Sequence, residues 1–188
     1  MFRRKSQQRA RERATEYATC KDFQQIFTED MVGLHRLAFL LTANEAKAEQ
    51  CFVAGLEESI RGNPVFKQWA RAWSKRAIIQ NAIKTIAPVP PVNGAAKEPP
   101  ARVAQYGGGP EGAAANVASW EPFERFVFVM AVLEGYSLRE CSTLLACPVQ
   151  DVVAAKTLAL QRLAAETAQA PAVKAVLTWA AFAQPQVA

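Results

Sequence analysis

FERFVFVMAVLEGYSLRECSTLLACPVQDVVAAKTLALQRL, residues 123–163, is the stretch whose punctuation decides the fold. Phe123, Phe126, Val127, Met130 and Leu133 recur at helical spacing and predict one apolar helix face. Glu134-Gly135-Tyr136 ends that helix, with Gly135 placed to take the left-handed backbone that other residues avoid. Ser137-Leu138-Arg139-Glu140 is a capping box: a hydroxyl first, a carboxylate three residues on, an apolar run after it. A short second helix then turns Leu138, Cys141, Leu144 and Leu145 inward. Pro148 is expected at the first position of a third helix, where its missing N–H costs nothing. Helix, tight turn, helix is the plan whose second helix can lie in a DNA major groove.

Working outward, the same punctuation divides the whole chain. Residues 1–20 are a basic polar segment, expected to be solvated. Residues 21–41 read as one amphipathic helix with Phe23, Ile26, Phe27, Met31, Leu34, Leu37, Ala38 and Leu41 on a face. Thr42-Ala43-Asn44-Glu45 breaks it and predicts a second capping box. Residues 45–60 follow with Ala48, Phe52, Leu56 and Ile60 inward. Gly62-Asn63-Pro64 separates these from a helix over 65–87 carrying Phe66, Trp69, Ala70, Trp73, Ala77 and Ile83, which Pro88 stops. Residues 88–118 are rich in Pro, Gly and Ala and show no apolar period, so they read as a flexible linker. Residues 119–168 hold the helix-turn-helix. Residues 169–188 predict a short apolar tail helix, with Val173, Val176, Leu177, Trp179, Ala180 and Phe182, packed on the domain before it. The expected fold is all-α: two small helical domains, 21–87 and 119–168, joined by the linker.

Charge is unevenly spread. Residues 1–87 hold 15 Lys and Arg against 9 Asp and Glu, whereas residues 119–188 hold 5 against 6. The excess positive charge therefore lies in the first half, which permits a polyanionic partner there. Cys20, Cys51, Cys141 and Cys147 fall at no metal-ligand spacing and are expected to be small buried hydrophobes. His35 is the only histidine, and no nucleophile stands near it. No glycine-rich phosphate loop, paired carboxylates or nucleophile–base set is present, so neither an enzyme nor a small-molecule substrate is expected, and no cofactor or metal. The apolar stretches are too short to span a bilayer, and no secretory signal is read, so a cytoplasmic location without membrane insertion is expected.

In order along the chain, these motifs resemble the two conserved domains of sigma factors of the extracytoplasmic-function type, within the sigma-70 family. Arg125 and Phe128 fall on the family's "R-x-V-F" helix, and Leu133-Glu134-Gly135-Tyr136-Ser137 falls on "EG-L-S". Glu140, Leu144-Leu145, Val152, Ala159 and Leu163 fall on the spacing of the helices that follow. In the first half, Leu34-His35-Arg36-Leu37-Ala38-Phe39-Leu40-Leu41-Thr42-Ala43-Asn44 matches "L-y-r-L-A-x-x-L-T-G-N". Ala48-Glu49 matches the start of "A-E-D-L-V-Q-E-x-F", and Phe66-Lys67-Gln68-Trp69 matches "F-x-x-W-L".

The resemblance implies a protein that binds core RNA polymerase, through the coiled coil of the beta-prime subunit, and directs transcription initiation at promoter DNA. It admits an anti-sigma factor as a further partner. Glu49, Phe52, Leu56 and Glu57 would meet the polymerase. Lys67, Arg71, Trp73, Lys75, Arg76 and Gln80 would meet melting promoter DNA, where rings stack on bases and cations track phosphates. Trp69 is expected to be structural. Gln150 and Lys156, on the last helix, would read the upstream element. Two departures from the family pattern support an alternative. The last helix shows Val153, Ala155, Leu158 and Leu160 where the family is rich in Lys and Arg, and "D-L-V-Q-E" is replaced by Gln50-Cys51-Phe52-Val53-Ala54. The alternative is a sigma-like interaction protein that has lost promoter recognition.

Overall fold

The computed structural model describes residues 16–91 and 117–169, with side chains through residue 165. The first fifteen residues, most of the expected linker and the expected tail helix lie outside the described residues. The described chain is all-helical; its one extended contact is an isolated bridge between Tyr17 and Phe66. It divides into two compact units. One gathers residues 16–38 and 44–85; the other gathers 39–43, 86–91 and 117–169.

In the first unit, α1 (Cys20–Glu29) is opened by Thr19, whose hydroxyl accepts from the Asp22 N–H while the Asp22 carboxylate accepts from the Thr19 N–H. This reciprocal cap escaped the sequence reading. The single helix expected over 21–41 is in fact two, because the chain bends at Asp30 before α2 (Met31–Thr42). The Asp30 carboxylate folds over Gly33, where a Cβ would collide with it. Asp30 so acts as punctuation in mid-run, and Met31 is turned outward instead of joining the apolar face.

Helix α3 (Glu45–Arg61) starts at Asn44, whose side chain accepts from the Lys47 N–H. The cap thus falls on Asn44 and not on Thr42, which is the last residue of α2, so the expected Thr42–Glu45 box is not the one that opens the helix; lysine at the third position cannot accept in return. Its buried stripe is Ala48, Cys51, Gly55 and Ser59, so Phe52 and Leu56 are only half-buried and Ile60 is exposed. Gly55 sets that rotation: a Cβ there would stand 2.6 Å from Ile78 Cγ1 and 3.2 Å from the Ile78 backbone nitrogen. The two backbones approach only because the side chain is missing. A short 3₁₀ turn (Lys67–Trp69) then leads into α4 (Ala70–Ile86), which buries Ala70, Ser74, Ala77, Ile78, Ile79 and Ala82.

The second unit is built around α5 (Pro122–Phe128) and the π-helical turn that continues it (Val129–Leu133). The single apolar face expected here is corrected. Every residue from Phe123 to Ala131 is buried, Glu124 and Arg125 included, which makes this the central helix of the unit. Fully burying each of its large side chains contributes about 1.5–3 kcal/mol. Arg125 is tolerated there because its guanidinium donates to the carbonyls of Leu41, Ala118 and Trp120 at 3.0–3.2 Å. Leu41 is in the last turn of α2, where carbonyls lack helical partners.

Gly135, at φ 72°, ends the π turn as the sequence implied. The Ser137–Glu140 capping box opens α6 (Leu138–Leu145) with both reciprocal bonds formed. Three residues, Ala146, Cys147 and Pro148, connect it to α7 (Val149–Gln169). Pro148 sits one place earlier than expected, in the cap position, and its carbonyl accepts from the Asp151 N–H at 3.1 Å. The axes of α6 and α7 are bent by 112°. Among the described residues no single helix is long and apolar enough to cross a membrane. The four cysteines separate: Cys51 and Cys141 are buried, Cys147 is partly so, and Cys20 is exposed, against expectation, because it begins α1 on its solvent side.

Candidate nucleic-acid interface

The candidate residues of the first unit fall on two helix faces. Helical spacing puts Arg71 and Lys75 on one stripe of α4, continuing from Lys67 in the 3₁₀ turn; Trp73, Arg76 and Gln80 share another stripe. The first stripe is met by acids. Lys67 Nζ stands 3.2 Å from Asp22, Arg71 Nη1 2.8 Å from Asp30, and Arg71 Nη2 3.8 Å from Glu29. Further along, Lys84 lies 3.5 Å from Glu58, which also accepts from Asn81 at 2.7 Å. The positive surplus of this half is thus partly neutralised locally, although exposed pairs of this kind are worth little each and yield to a stronger anion. Asp22 is held down at about pKa 2, chiefly by the Thr19 hydroxyl and the Thr19 backbone N–H, with Lys67 a smaller contributor.

The aromatic residues exchange the roles expected of them. Trp69, expected in the core, is 56% exposed and meets Phe66 edge to face at 5.2 Å. Phe66 in turn stacks on Tyr17 at 4.7 Å. Trp73 instead packs against the small cluster of Phe23, Val65 and Ala70, and its indole Nε1 is buried without a hydrogen-bond partner. The ring available for stacking on a base is therefore Trp69.

On α3, Phe52 stands edge to face with Phe27 at 5.1 Å and near His35, while Leu56 packs on the Phe23 cluster. Glu49 and Glu57 are exposed, and Glu57 pairs with Arg61 at 3.5 Å. The open face of α3 is carried by Glu49, Gln50, Val53 and Glu57, with Val53 48% exposed at its centre. Val53 was not singled out in the sequence, because the apolar period drew attention to Phe52 and Leu56.

In the second unit, Gln150 is exposed in the first turn of α7 and Lys156 is half-buried two turns on. Ala155, expected on an outward apolar face, belongs to the core with Val152, Ala159 and Leu163; Val153 and Leu160 do face outward, at 44% and 41% exposure. Arg162 is not an open cation. Its guanidinium lies 3.1 Å from the Glu124 carboxylate, with only 20% and 6% of the two side chains exposed. With Arg125 also buried, Arg139 and Lys156 are the cations this unit presents among its described residues, against Glu121, Glu134, Glu140 and Asp151.

Beside that face runs an open groove of about 820 Å³, walled by Pro88, Val89, Pro122, Phe123, Ala154 and Leu158 and edged by Glu121, Asp151 and the Glu124–Arg162 pair. Among the described residues no group of three or more His, Cys, Asp or Glu could hold a metal ion. Burial raises the Cys141 thiol to about 11 and raises Cys51 and Cys147 as well, so none of these is poised as a nucleophile. Compared with protein-family models, with curated proteins and with solved structures, the chain gives no match.

Proposed function

We propose that the chain is a sigma-factor-like protein of the extracytoplasmic-function type, which binds core RNA polymerase and directs initiation at specific promoters. The observation that carries this reading is the α6–α7 pair: a capped helix, a three-residue turn and a long second helix bent by 112°, within the range expected of a helix-turn-helix. In this reading the two units are the family's two domains, and residues 92–116 lie in the linker between them. Gln150 at the start of α7 reaches base edges of the upstream element. Trp69, Arg71 and Lys75 meet the melted strand, and Glu49, Val53 and Glu57 on α3 meet the polymerase.

A second reading is favoured by a specific observation. The second unit presents more acid than base, and Val149, Val153 and Leu160 are exposed on α7. Phosphate neutralisation supplies most DNA affinity, so this helix suits protein contact better than duplex contact. The protein would then act through polymerase or another protein without reading promoter sequence.

Purified protein passed over a sizing column with core RNA polymerase at moderate salt tests both. Stable co-elution, followed by run-off transcription from a selected promoter, is the outcome expected of a sigma factor. Co-elution without promoter-directed transcription selects the second reading. Absence of co-elution by folded protein removes the first reading and leaves the second only with a partner other than polymerase.

A further inference from the structure

The groove on the second unit has the size and lining of a small-molecule site. Its volume of about 820 Å³ falls within the roughly 300–1,000 Å³ usual for such sites. It is lined by the extended segment that follows α4, by the start of α5 and by α7. Much of that lining is stiff. Pro88, Pro91 and Pro122 each have a φ locked by the ring. Pro88 and Phe123 are buried, and Ala155 belongs to the core. An occupant therefore orders few groups on entry, which leaves more of its apolar contact as affinity. On α7 the apolar part of the groove runs only from Ala154 to Leu158, about 6 Å at 1.5 Å per residue. Asp151 bounds it on one side and the Glu124–Arg162 pair on the other. A docked helix needs apolar anchors over successive turns, whereas one ring or a short alkyl chain fills a single turn.

The polar side chains of the groove are sorted by sign. Its one cation, Arg162, is held by Glu124 at 3.1 Å. The Thr157 hydroxyl donates to the Val153 carbonyl at 2.9 Å. The three prolines bring carbonyl acceptors and no N–H. The charged side chains left to an occupant are therefore the carboxylates of Glu121 and Asp151, with the exposed Gln161 able to offer either end of its amide. Asp151 is half-buried, so its attraction for a cation is screened less than that of a fully exposed acid. An anion would meet two carboxylates and no open cation. A cation on an apolar body is matched by both the charge and the lining.

We propose that this groove is a binding site for a small organic cation, an ammonium or amidinium group carried on a short aromatic or aliphatic body. The body lies against Ala154 and Leu158, and the cationic head is drawn to Asp151, with Glu121 adding to the negative field. The inference does not depend on the sigma-factor reading; within that reading, the site borders the recognition helix, and Asp151 directly follows Gln150, so the ligand would act where α7 meets DNA.

Methyl NMR of the full-length protein tests the proposal with three probes that share one body and differ in charge: phenethylamine, phenethyl alcohol and hydrocinnamate. The Val89 and Leu158 methyls are expected to shift on titration, while those of Val127 and Val129, in the core, stay fixed and report folding. Phenethylamine is expected to bind about 3–10-fold more tightly than the alcohol, and hydrocinnamate more weakly than either. The double variant Glu121→Gln, Asp151→Asn should bring the amine down to the affinity of the alcohol and leave the alcohol unchanged. Ala154→Phe, at an exposed position in the groove, should abolish binding of both. Hydrocinnamate binding as tightly as the amine overturns the proposal, as does an amine preference that survives the double variant. No response to any probe at its solubility limit also overturns it. So do groove methyls that, without probe, shift with protein concentration or show contacts to another segment of the chain, which would make a second copy or the chain itself the occupant.

Discussion

Arg125 shows how a single residue decides whether its unit holds together. It is 4% exposed at the centre of the second unit and donates to three backbone carbonyls, those of Leu41, Ala118 and Trp120. Burial depresses its pKa, but a guanidinium starts so high that it remains charged. Those carbonyls lie in a helix end and a turn with no ladder partner, so removing the guanidinium orphans them. Arg125→Met keeps much of the side chain's volume and removes the donors. It is expected to destabilise the protein by about 2–4 kcal/mol, read as a lower denaturant midpoint with unchanged slope. An unchanged midpoint would mean that the carbonyls find water and that Arg125 is not structural. The sequence revealed Arg125 only as a motif position. Its partners are up to 84 residues away, and no local pattern announces a bond of that span.

At the scale of the element, the helix ends are strained in a consistent way. Helices α2, α4 and α6 each end on an alanine with positive φ: Ala43 at 51°, Ala87 at 48° and Ala146 at 51°. Glycine is the usual residue at such ends, because its missing Cβ removes the steric penalty. Ala146→Gly is expected to stabilise by about 0.5–1 kcal/mol, the relief of strain exceeding the extra entropy glycine brings to the unfolded chain. A thermal melt that shifts upward supports this; a downward shift would mean that the Ala146 methyl contributes packing.

The first turn of α1 gives a pH prediction. Asp22 titrates at about 2 in the fold against 3.8 for the free side chain. Its contribution to stability is therefore complete above about pH 4 and is lost as pH falls through about 2. The Thr19 hydroxyl is the largest cause, so Thr19→Ala should raise the Asp22 pKa, followed by carboxyl-carbon NMR. Lys67→Met should move it much less; a larger effect from Lys67 would put charge ahead of capping.

Where punctuation is local, elements were legible: Gly135, Ser137 with Glu140, and the Pro64 and Pro88 breaks could all be read within a few residues. The bend at Asp30 and the rotation of α3 could not. Asp30 interrupts an otherwise continuous apolar period, and Gly55 orients α3 by the side chain it lacks, which carries no weight in a periodicity count.

For the whole molecule, the candidate site was legible as residue types but not as faces. The basic surplus of the first half is in the sequence, yet the acids that meet it, Asp22 with Lys67 and Asp30 with Arg71, are 45 and 41 residues from their partners. Composition therefore overstated the open positive field on that unit and gave no hint that Trp69 and Trp73 would exchange places. The same pairs offer a direct test of whether this face meets nucleic acid. If Lys67 and Arg71 contact a single strand, binding must first compete with their carboxylates. The full-length double variant Asp22→Asn, Asp30→Asn removes the two shorter of these pairs while keeping side-chain size, leaving Glu29 at 3.8 Å from Arg71. It is expected to bind a labelled single-stranded oligonucleotide about 3–10-fold more tightly at low salt. Its log affinity should also fall more steeply with log salt, by about 0.7 for each cation released to phosphate. Trp69→Ala should weaken binding by about 1–3 kcal/mol without changing that slope, since stacking displaces no counterions. An unchanged affinity in the double variant would show that the acid–base edge is structural, and would leave α3 with Val53 as the functional face of this unit.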